Sequence, residues 1–526
     1  MSIDIDLLVH AHRIYTVDTA FSFTECMAVN DGRIVAFGSR ARLEATYRPH
    51  RKLDLGNATV YPGFMDPHCH FLSYGYVLQR ADLFDTKSWE EAVDRLVAHH
   101  LHSGDYWVQG RGWNQNEWKP REFPTKELLD RAFPDNPVLA IRVDGHAAMA
   151  NTKALDLAGV DDRTTVEGGL LAKSGGRLTG FLLDNAIDLV KKAIPVPDQQ
   201  TRRHALTAAQ AKCFAAGLTS VSNAGTELED LLLINSMEEE GELAIRIYAM
   251  LTATADNIER IALHGPMLKD RLTVRSFKMF ADGALGSRGA YLLEPYADDP
   301  GNRGLLTLRP EELERVCGIA RACGFQMNVH AIGDAAARMI LDIYEKFLEP
   351  GNDLRWRIEH AQLVHPDDLP RFGRLGVIPS VQTTHATSDM GWTAERLGQE
   401  RMRSAHIYRQ LLEQNGWLAN GSDFPIERIE PLRGFRSAVL RKDDAGRPEG
   451  GFQPENALTR EQALRAMTIW AARANFEEKS RGSLEPGKWA DFTVLDTDLI
   501  EASDTALMEA KVLMTAIGGE IVFQKH

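Results

Sequence analysis

The sequence predicts an α/β fold: a (β/α)8 TIM-type barrel, a composite β-sandwich domain drawn from both chain ends, and an insertion after the first barrel strand. Three observations carry this expectation. Short apolar runs, punctuated by glycine and followed by helical patterns, recur through the middle of the chain, as parallel strands with helical crossovers require. The two ends instead alternate apolar and polar residues around turn-forming residues. The stretch 82–194, rich in Trp, Pro and Gly, breaks the strand–helix rhythm.

The first segment reads LLVHAHRIYTV and then CMAVNDGRIVAFG, with Asn30-Asp31-Gly32 supplying residues that tolerate positive φ in a hairpin turn. The far end repeats the pattern in WADFTVLD and VLMTAIGGEIVFQ, turning at Gly518-Gly519. Neither end has enough apolar surface to stand alone, so residues 1–58 and 482–526 are expected to pack as one antiparallel β-domain. Residues 59–81 and 195–481 are assigned to the barrel and 82–194 to a covering insertion. Eight runs are read as barrel strands: TVYPGFMDPHCH, PVLAIRV, GLTSVSN, RSFKMFADG, FQMNVHAI, RWRIEHA, VIPSVQT and WLANGSD. PVLAIRV is the ambiguous one, because it falls inside the insertion. In TREQALRAMTIWAARAN, Thr459 and Gln462 make a capping box ahead of an alanine-rich helix.

Composition narrows the function classes. A net charge of -14, from 74 acidic against 60 basic residues, argues against nucleic acid or an anionic membrane as partner. No apolar stretch is long enough to span a bilayer, and MSIDIDLLVH has acids where a secretion signal needs a basic residue. Five cysteines without CxxC spacing do not form a disulfide framework. A cytoplasmic enzyme of small molecules is the expectation.

Five of the runs end in a side chain that holds divalent metal, and strand ends are where such barrels place catalytic groups. In MDPHCH, His68 and His70 lie two apart on a strand and point the same way, while Cys69 points back into packing. Asp66 is placed to orient a ligand. His330 closes FQMNVH, His360 closes RWRIEH and Asp423 closes WLANGSD, a nitrogen and oxygen mixture that suits zinc. Lys278, in RSFKMFADG, has two readings. It is an ordinary strand-end lysine, paired for instance with Asp282, or an amine kept neutral by apolar neighbours that captures carbon dioxide as a carbamate.

At these positions the sequence resembles amidohydrolase family 3, the branch containing N-substituted formamide deformylases and related amide hydrolases. The likeness runs through PGFMDPHCHF, DGHAAMANTKAL, FKMFADGALGSR, NVHAIGDAA, RIEHAQ, NGSDFP and GSLEPGKWADFTVLD. It implies two divalent metal ions: His68, His70 and Asp423 on the more buried one, His330 and His360 on the more exposed, and carboxylated Lys278 bridging. It further implies attack by a hydroxide held between the metals, with Asp423 as base and then acid. His146 is either a further donor to the developing oxyanion or a structural histidine of the insertion, and Asp144 either orients it or caps a turn. Trp113, Asp282 and Gly283 complete the expected substrate contacts, with Trp118, Tyr74 and Phe71 as further candidates for an aromatic lining. Ser222 and Asn223 depart from the family pattern, in which histidine and aspartate are common. DGALGSRG lacks a P-loop lysine and reads as a pocket-shaping loop, and Asp334 sits where a helix begins.

The expected activity is therefore hydrolysis of an amide, formamide or related N-acyl bond in a small molecule. A cyclic amide or amidine hydrolase, a one-metal deaminase and a non-catalytic scaffold are the alternatives, and a homodimer fits the family style.

Overall fold

The computed structural model describes residues 2–525. Eight parallel strands form the barrel: β1 Phe64–Cys69, β2 Leu218–Thr226, β3 Arg246–Thr252, β4 Leu272–Phe280, β5 Gln326–Ala331, β6 Arg357–His360, β7 Ile378–Val381 and β8 Ala419–Asn420. Each pairs with the next in that order. The ring nearly closes where the Asp423 amide donates to the His68 carbonyl at 2.9 Å and the His70 amide to Phe424 at 2.8 Å. β1, β5, β6 and β7 are buried along their whole length, as strands with helices outside and side chains inside must be. Arg357 crosses the interior from β6 to the Pro67 carbonyl of β1, at 3.1 Å, and to Asn475, at 2.6 Å.

One strand differs from the sequence expectation. Val138–Arg142, within PVLAIRV, belongs to the insertion, and the missing barrel strand is β3, RIYAMLT. The two runs are equally apolar, so periodicity does not separate them. The onward path of the chain does: Val138–Arg142 turns tightly into the antiparallel strand Ala147–Ala150, whereas β3 continues through a short helix into β4, its parallel neighbour.

The helix expected over TREQALRAMTIWAARAN is two helices, Arg460–Ala466 and Ile469–Ala474. The Thr459–Gln462 capping box is present. The break at Thr468 (φ −137°, ψ −100°) leaves the Met467 carbonyl to accept from the Met65 amide of β1 at 2.9 Å, which ties this segment to the barrel floor.

Strands from the two chain ends share one eight-stranded sheet. Ile3–Tyr15 pairs antiparallel with Phe23–Asn30, which turns through Asp31 and Gly32 (φ 49° and 71°) into Arg33–Gly38. On its other side it pairs parallel with Tyr47–Asp54 and Thr59–Pro62, so the unit is mixed rather than purely antiparallel. Phe492–Leu495 then joins Thr59–Pro62, followed by Val512–Ile517 and Glu520–Gln524 around Gly518-Gly519. Leu7, Val9 and Ile14 pack with Val60, Phe492, Val494 and Met514 in its core. A buried bidentate pair, Arg246 Nε to Asp491 Oδ2 at 2.7 Å and Nη2 to Oδ1 at 3.1 Å, fastens this sheet to the start of β3.

Between β1 and β2 the chain builds a six-stranded sheet, ordered Gly169–Ser174, Arg177–Asp184, Ala147–Ala150, Val138–Arg142, Val108–Trp113, Ala81–Asp82. Its own core holds Trp89, Trp113, Trp118 and Phe133. Among the described residues no helix is long and apolar enough to cross a membrane.

Candidate active site

The C-terminal ends of the barrel strands open into a cleft of about 600 Å³. His70, Lys278, His330, His360 and Asp423 all line it, and His68 lies buried behind them. Asp423 Oδ1 stands 3.4 Å from His68 Nε2 and 3.3 Å from His70 Nε2, while Oδ2 is 3.9 Å from His360 Nδ1. One ligand atom each from His68, His360 and Asp423 fall within 4.8 Å of one another. The His330 ring sits 4.5 Å from that of His360, centroid to centroid. His360 and Asp423 both adopt left-handed backbone (φ 73° and 62°), a strain that non-glycine residues hold where surrounding structure fixes them.

Unpartnered polar atoms converge on this point. His68 Nε2, Asp423 Oδ1 and Lys278 Nζ are buried and make no hydrogen bond. A buried polar atom without a partner costs about 1–3 kcal/mol, more when charged. His68 Nε2 and Asp423 Oδ1, a nitrogen and an oxygen 3.4 Å apart, are what a divalent cation would satisfy, whereas Lys278 Nζ could join them only after losing its proton. The residues present fit such an ion.

The electrostatics agree. Burial pushes His330 and His360 well below the ordinary histidine value, keeping their imidazoles neutral and able to coordinate. Burial alone would raise Asp423, but His68 and His70 outweigh it and hold the carboxylate ionised. Burial lowers Lys278 to about 8, against the opposing pull of Glu359 and Asp423. Its ammonium has no salt bridge to Asp282. It lies over the Phe280 ring, 4.3 Å from the centroid.

Further groups fix the ligands. Glu359 Oε2 accepts from His68 Nδ1 at 2.5 Å, Gln382 Oε1 meets His360 Nδ1 at 2.6 Å, and the Ala224 carbonyl meets His70 Nδ1 at 3.0 Å. Each contact occupies Nδ1 of its ring. Asp66 accepts from the His68 and Ser422 amides, each at 3.1 Å, and so joins the ends of β1 and β8. Glu359, Gln382 and His385 are additions to the residues that the sequence points to. Glu359 has a readable signal: it alternates with Arg357 on β6 and so shares its inward face. His385, four residues beyond β7, faces Asp423 Oδ2 at 4.0 Å with its Nε2 unpartnered.

The insertion brings Asp144 and His146 to the cleft. His146 Nδ1 meets Asp184 at 2.7 Å. Burial opposes its protonation, but Asp184 outweighs that and raises its pKa. The ring lies 4.9 Å from His330. Asp144 accepts from the His146 amide at 3.1 Å and from Arg142 at 2.5 Å, so it shapes this loop.

Other expected contacts lie elsewhere. Trp113 is fully buried in the insertion core and donates to the Ala140 carbonyl at 2.8 Å. Large aromatic area favours a dry core over a wet cleft. Asp282 is buried too, its carboxylate accepting the amides of Tyr291, Ile332 and Gly333 at 2.8–3.0 Å, and burial raises it to about 7. It clamps the loop behind β4, with Oδ1 also 3.4 Å from His330 Nε2. Gly283 packs against Asp184, leaving its carbonyl 3.4 Å from His330 Nε2. Phe71 and Trp118 are buried in packing, and Tyr74 meets Phe424 edge to face. Ser222 bonds to Asn475 and Asn223 to Thr226, inside the barrel; Thr252, the last residue of β3, and Thr254 beyond it line the cleft. Asp334 begins the helix Asp334–Tyr344 and accepts the Leu293 amide at 2.9 Å.

Comparison with known proteins bears on this arrangement. The amidohydrolase family pattern matches residues 51–523. The protein YtcJ of Bacillus subtilis (strain 168) is 34% identical over 529 residues, spanning 98% of this chain and 99% of its own. N-substituted formamide deformylase of Arthrobacter pascens is 26% identical over 546 residues, spanning 99% of this chain and 98% of its own. An uncharacterized metal-dependent hydrolase from Pyrococcus horikoshii OT3 has a similar solved structure, with a TM-score of 0.77 and 30% identity, over 95% of this chain and 99% of that one. The family match spans nearly the whole chain and coincides with a barrel whose strand ends gather metal-binding side chains. The chain belongs to the amidohydrolase family.

Proposed function

We propose that this protein is a metal-dependent hydrolase that cleaves the C–N bond of an amide, formamide or related N-acyl substrate. The observation that carries the reading is the convergence of His68 Nε2, Asp423 Oδ1 and Lys278 Nζ, all buried and unpartnered, beside His360 at the barrel mouth. The donor set suits two divalent ions, zinc by ligand type, held by His68, His70, His330, His360 and Asp423, with Lys278 as a carbamate. When bound, such ions polarise the substrate carbonyl and bring the pKa of water to about 7.

Asp423 then needs to be only a weak base. It accepts the proton of the attacking water, whose oxygen bonds to the carbonyl carbon, and returns that proton to the departing nitrogen. His146, whose hold on a proton is strengthened by its contact with Asp184, donates toward the carbonyl oxygen as charge develops there. Glu359, Gln382 and the Ala224 carbonyl hold three rings in place. In this reading residues 82–194 cover the site, 59–81 with 195–481 supply the barrel, and 1–58 with 482–526 the composite β-domain. Lys278, buried and without a carboxylate partner, favours the two-ion arrangement over a one-metal deaminase.

The test is an assay of zinc-loaded protein on N-formyl amines, N-acyl amino acids, cyclic ureas and carbamates, reading free amine. Formate released from an N-alkyl or N-benzyl formamide supports the deformylase form of the reading. No turnover on the whole panel, with metal bound, overturns it.

A further inference from the structure

On the insertion side of the cleft stand cations that the hydrolytic chemistry does not use. Arg111, on the strand Val108–Trp113, lines the cleft and is 8% exposed. Its one side-chain hydrogen bond runs from Nη2 to the Val143 carbonyl at 3.3 Å, and its Nε has no partner. Gly145, at φ 77°, keeps the space beside it open; a Cβ there would sit 3.2 Å from Nη2. The acid whose charge acts on it most, Asp144, is already held by Arg142 and the His146 amide. By contrast, the buried guanidinium groups of Arg142 and Arg246 each reach a carboxylate, at 2.5 and 2.7 Å.

Arg80 adds a second cation. It precedes the strand Ala81–Asp82, in which Asp82 is the register partner of Arg111, and its charge opposes that of Arg111. Among the described residues, neither arginine is within salt-bridge distance of a carboxylate. Lys191, at the end of the helix Asn185–Lys191, lines the same cleft, with Asp188 3.6 Å away. Guanidinium stays charged at neutral pH, so Arg111 in the part-buried cleft, with the Lys191 ammonium on the same lining and Arg80 close behind, lacks a counter-charge until an anion enters. The planar fork of arginine matches a carboxylate in particular. Asp423 lines the same cleft as Arg111, so an anion held there and the scissile bond would share one cavity.

We propose that Arg111, with Arg80 and Lys191 beside it, binds a carboxylate carried by the substrate, so that the amide cleaved is an N-acyl amino acid or a similar acid-bearing amide. This rests on the hydrolase reading above, and its test separates the two. Binding of phenylacetate and of 2-phenylethanol to the zinc-loaded protein is measured by calorimetry for wild type, Arg111→Met, Arg111→Lys and Lys191→Met. Wild type should prefer the carboxylate, Arg111→Met should lose about tenfold of that affinity, and Arg111→Lys should keep part of it. Any coordination of phenylacetate by zinc is common to all four proteins and drops out of the difference. Should Arg111→Met fail to fold by circular dichroism, Lys191→Met, on the cleft lining, carries the comparison. Equal affinity in wild type and variants, or no preference over the alcohol, overturns the proposal. In turnover, N-formylphenylalanine should exceed N-formylphenethylamine in kcat/KM, with the preference lost in Arg111→Met; a preference unchanged by that variant also overturns it. If neither amide is cleaved while Arg111→Met still weakens phenylacetate binding, the anion site stands and the hydrolase reading falls.

Discussion

Glu359 shows how much a single buried side chain can govern. It touches no open space, yet its carboxylate fixes the His68 ring through a 2.5 Å contact to Nδ1. Glu359→Gln should therefore weaken zinc binding about 10–100-fold, read by competition with a chromogenic chelator, while leaving the folded spectrum intact. Lys278→Ala should release metal and abolish activity, with partial return of both in millimolar acetate or formate if a carbamate is the native ligand. These residues differ in how legible they are in the sequence. His68, His70, His330, His360, Lys278 and Asp423 each sit at or near the end of an apolar run, where the alternation of a strand and the polarity of the side chain conflict. Glu359 is legible only through its alternation with Arg357, beside the more conspicuous ligand type of His360. Asp282 and Trp113 mislead for a physical reason: the amides Asp282 accepts at Ile332 and Gly333 come from about fifty residues away, and an aromatic in a glycine-rich segment looks the same in a core or a cleft.

Among the elements, the contact between β3 and the terminal sheet is the most exposed to test. Arg246 and Asp491 are both buried, so removing Asp491 leaves Arg246 only its longer 3.4 Å contact with Asp270, a loss of up to about 3–5 kcal/mol. Asp491→Ala should lower the thermal midpoint accordingly. Burial alone would raise Asp491, but Arg246 outweighs it and holds the folded value below the ordinary 3.8. A depressed carboxylate stabilises fully above its unfolded value and stops doing so as pH falls through its folded one. The gap in midpoint between wild type and Asp491→Ala should thus be constant near neutrality and narrow only below pH 3.8. β3 is also the strand that the sequence conceals. RIYAMLT and PVLAIRV are equally apolar, and only the turn after Arg142, against the helical route onward from Thr252, tells them apart.

Across the whole molecule, metal and fold are linked. Ligands that bind the native state alone stabilise it by about 2.7 kcal/mol at a hundredfold excess over Kd. Dialysis against a chelator should lower the melting temperature, and zinc should restore it in proportion to the logarithm of its free concentration. The barrel and the joined chain ends are readable because periodicity and turn chemistry are local. The insertion's six-stranded sheet is not, since its order depends on pairings between distant segments. The joined ends also bear on how the protein is made. Thr59–Pro62 is wholly buried and waits for Phe492–Leu495, a strand that leaves the ribosome more than four hundred residues later. Until then a nascent chain carries an open, sticky edge. A product halted before Phe492 should aggregate or be degraded, so synthesis of the last strands acts as a release check on everything before them.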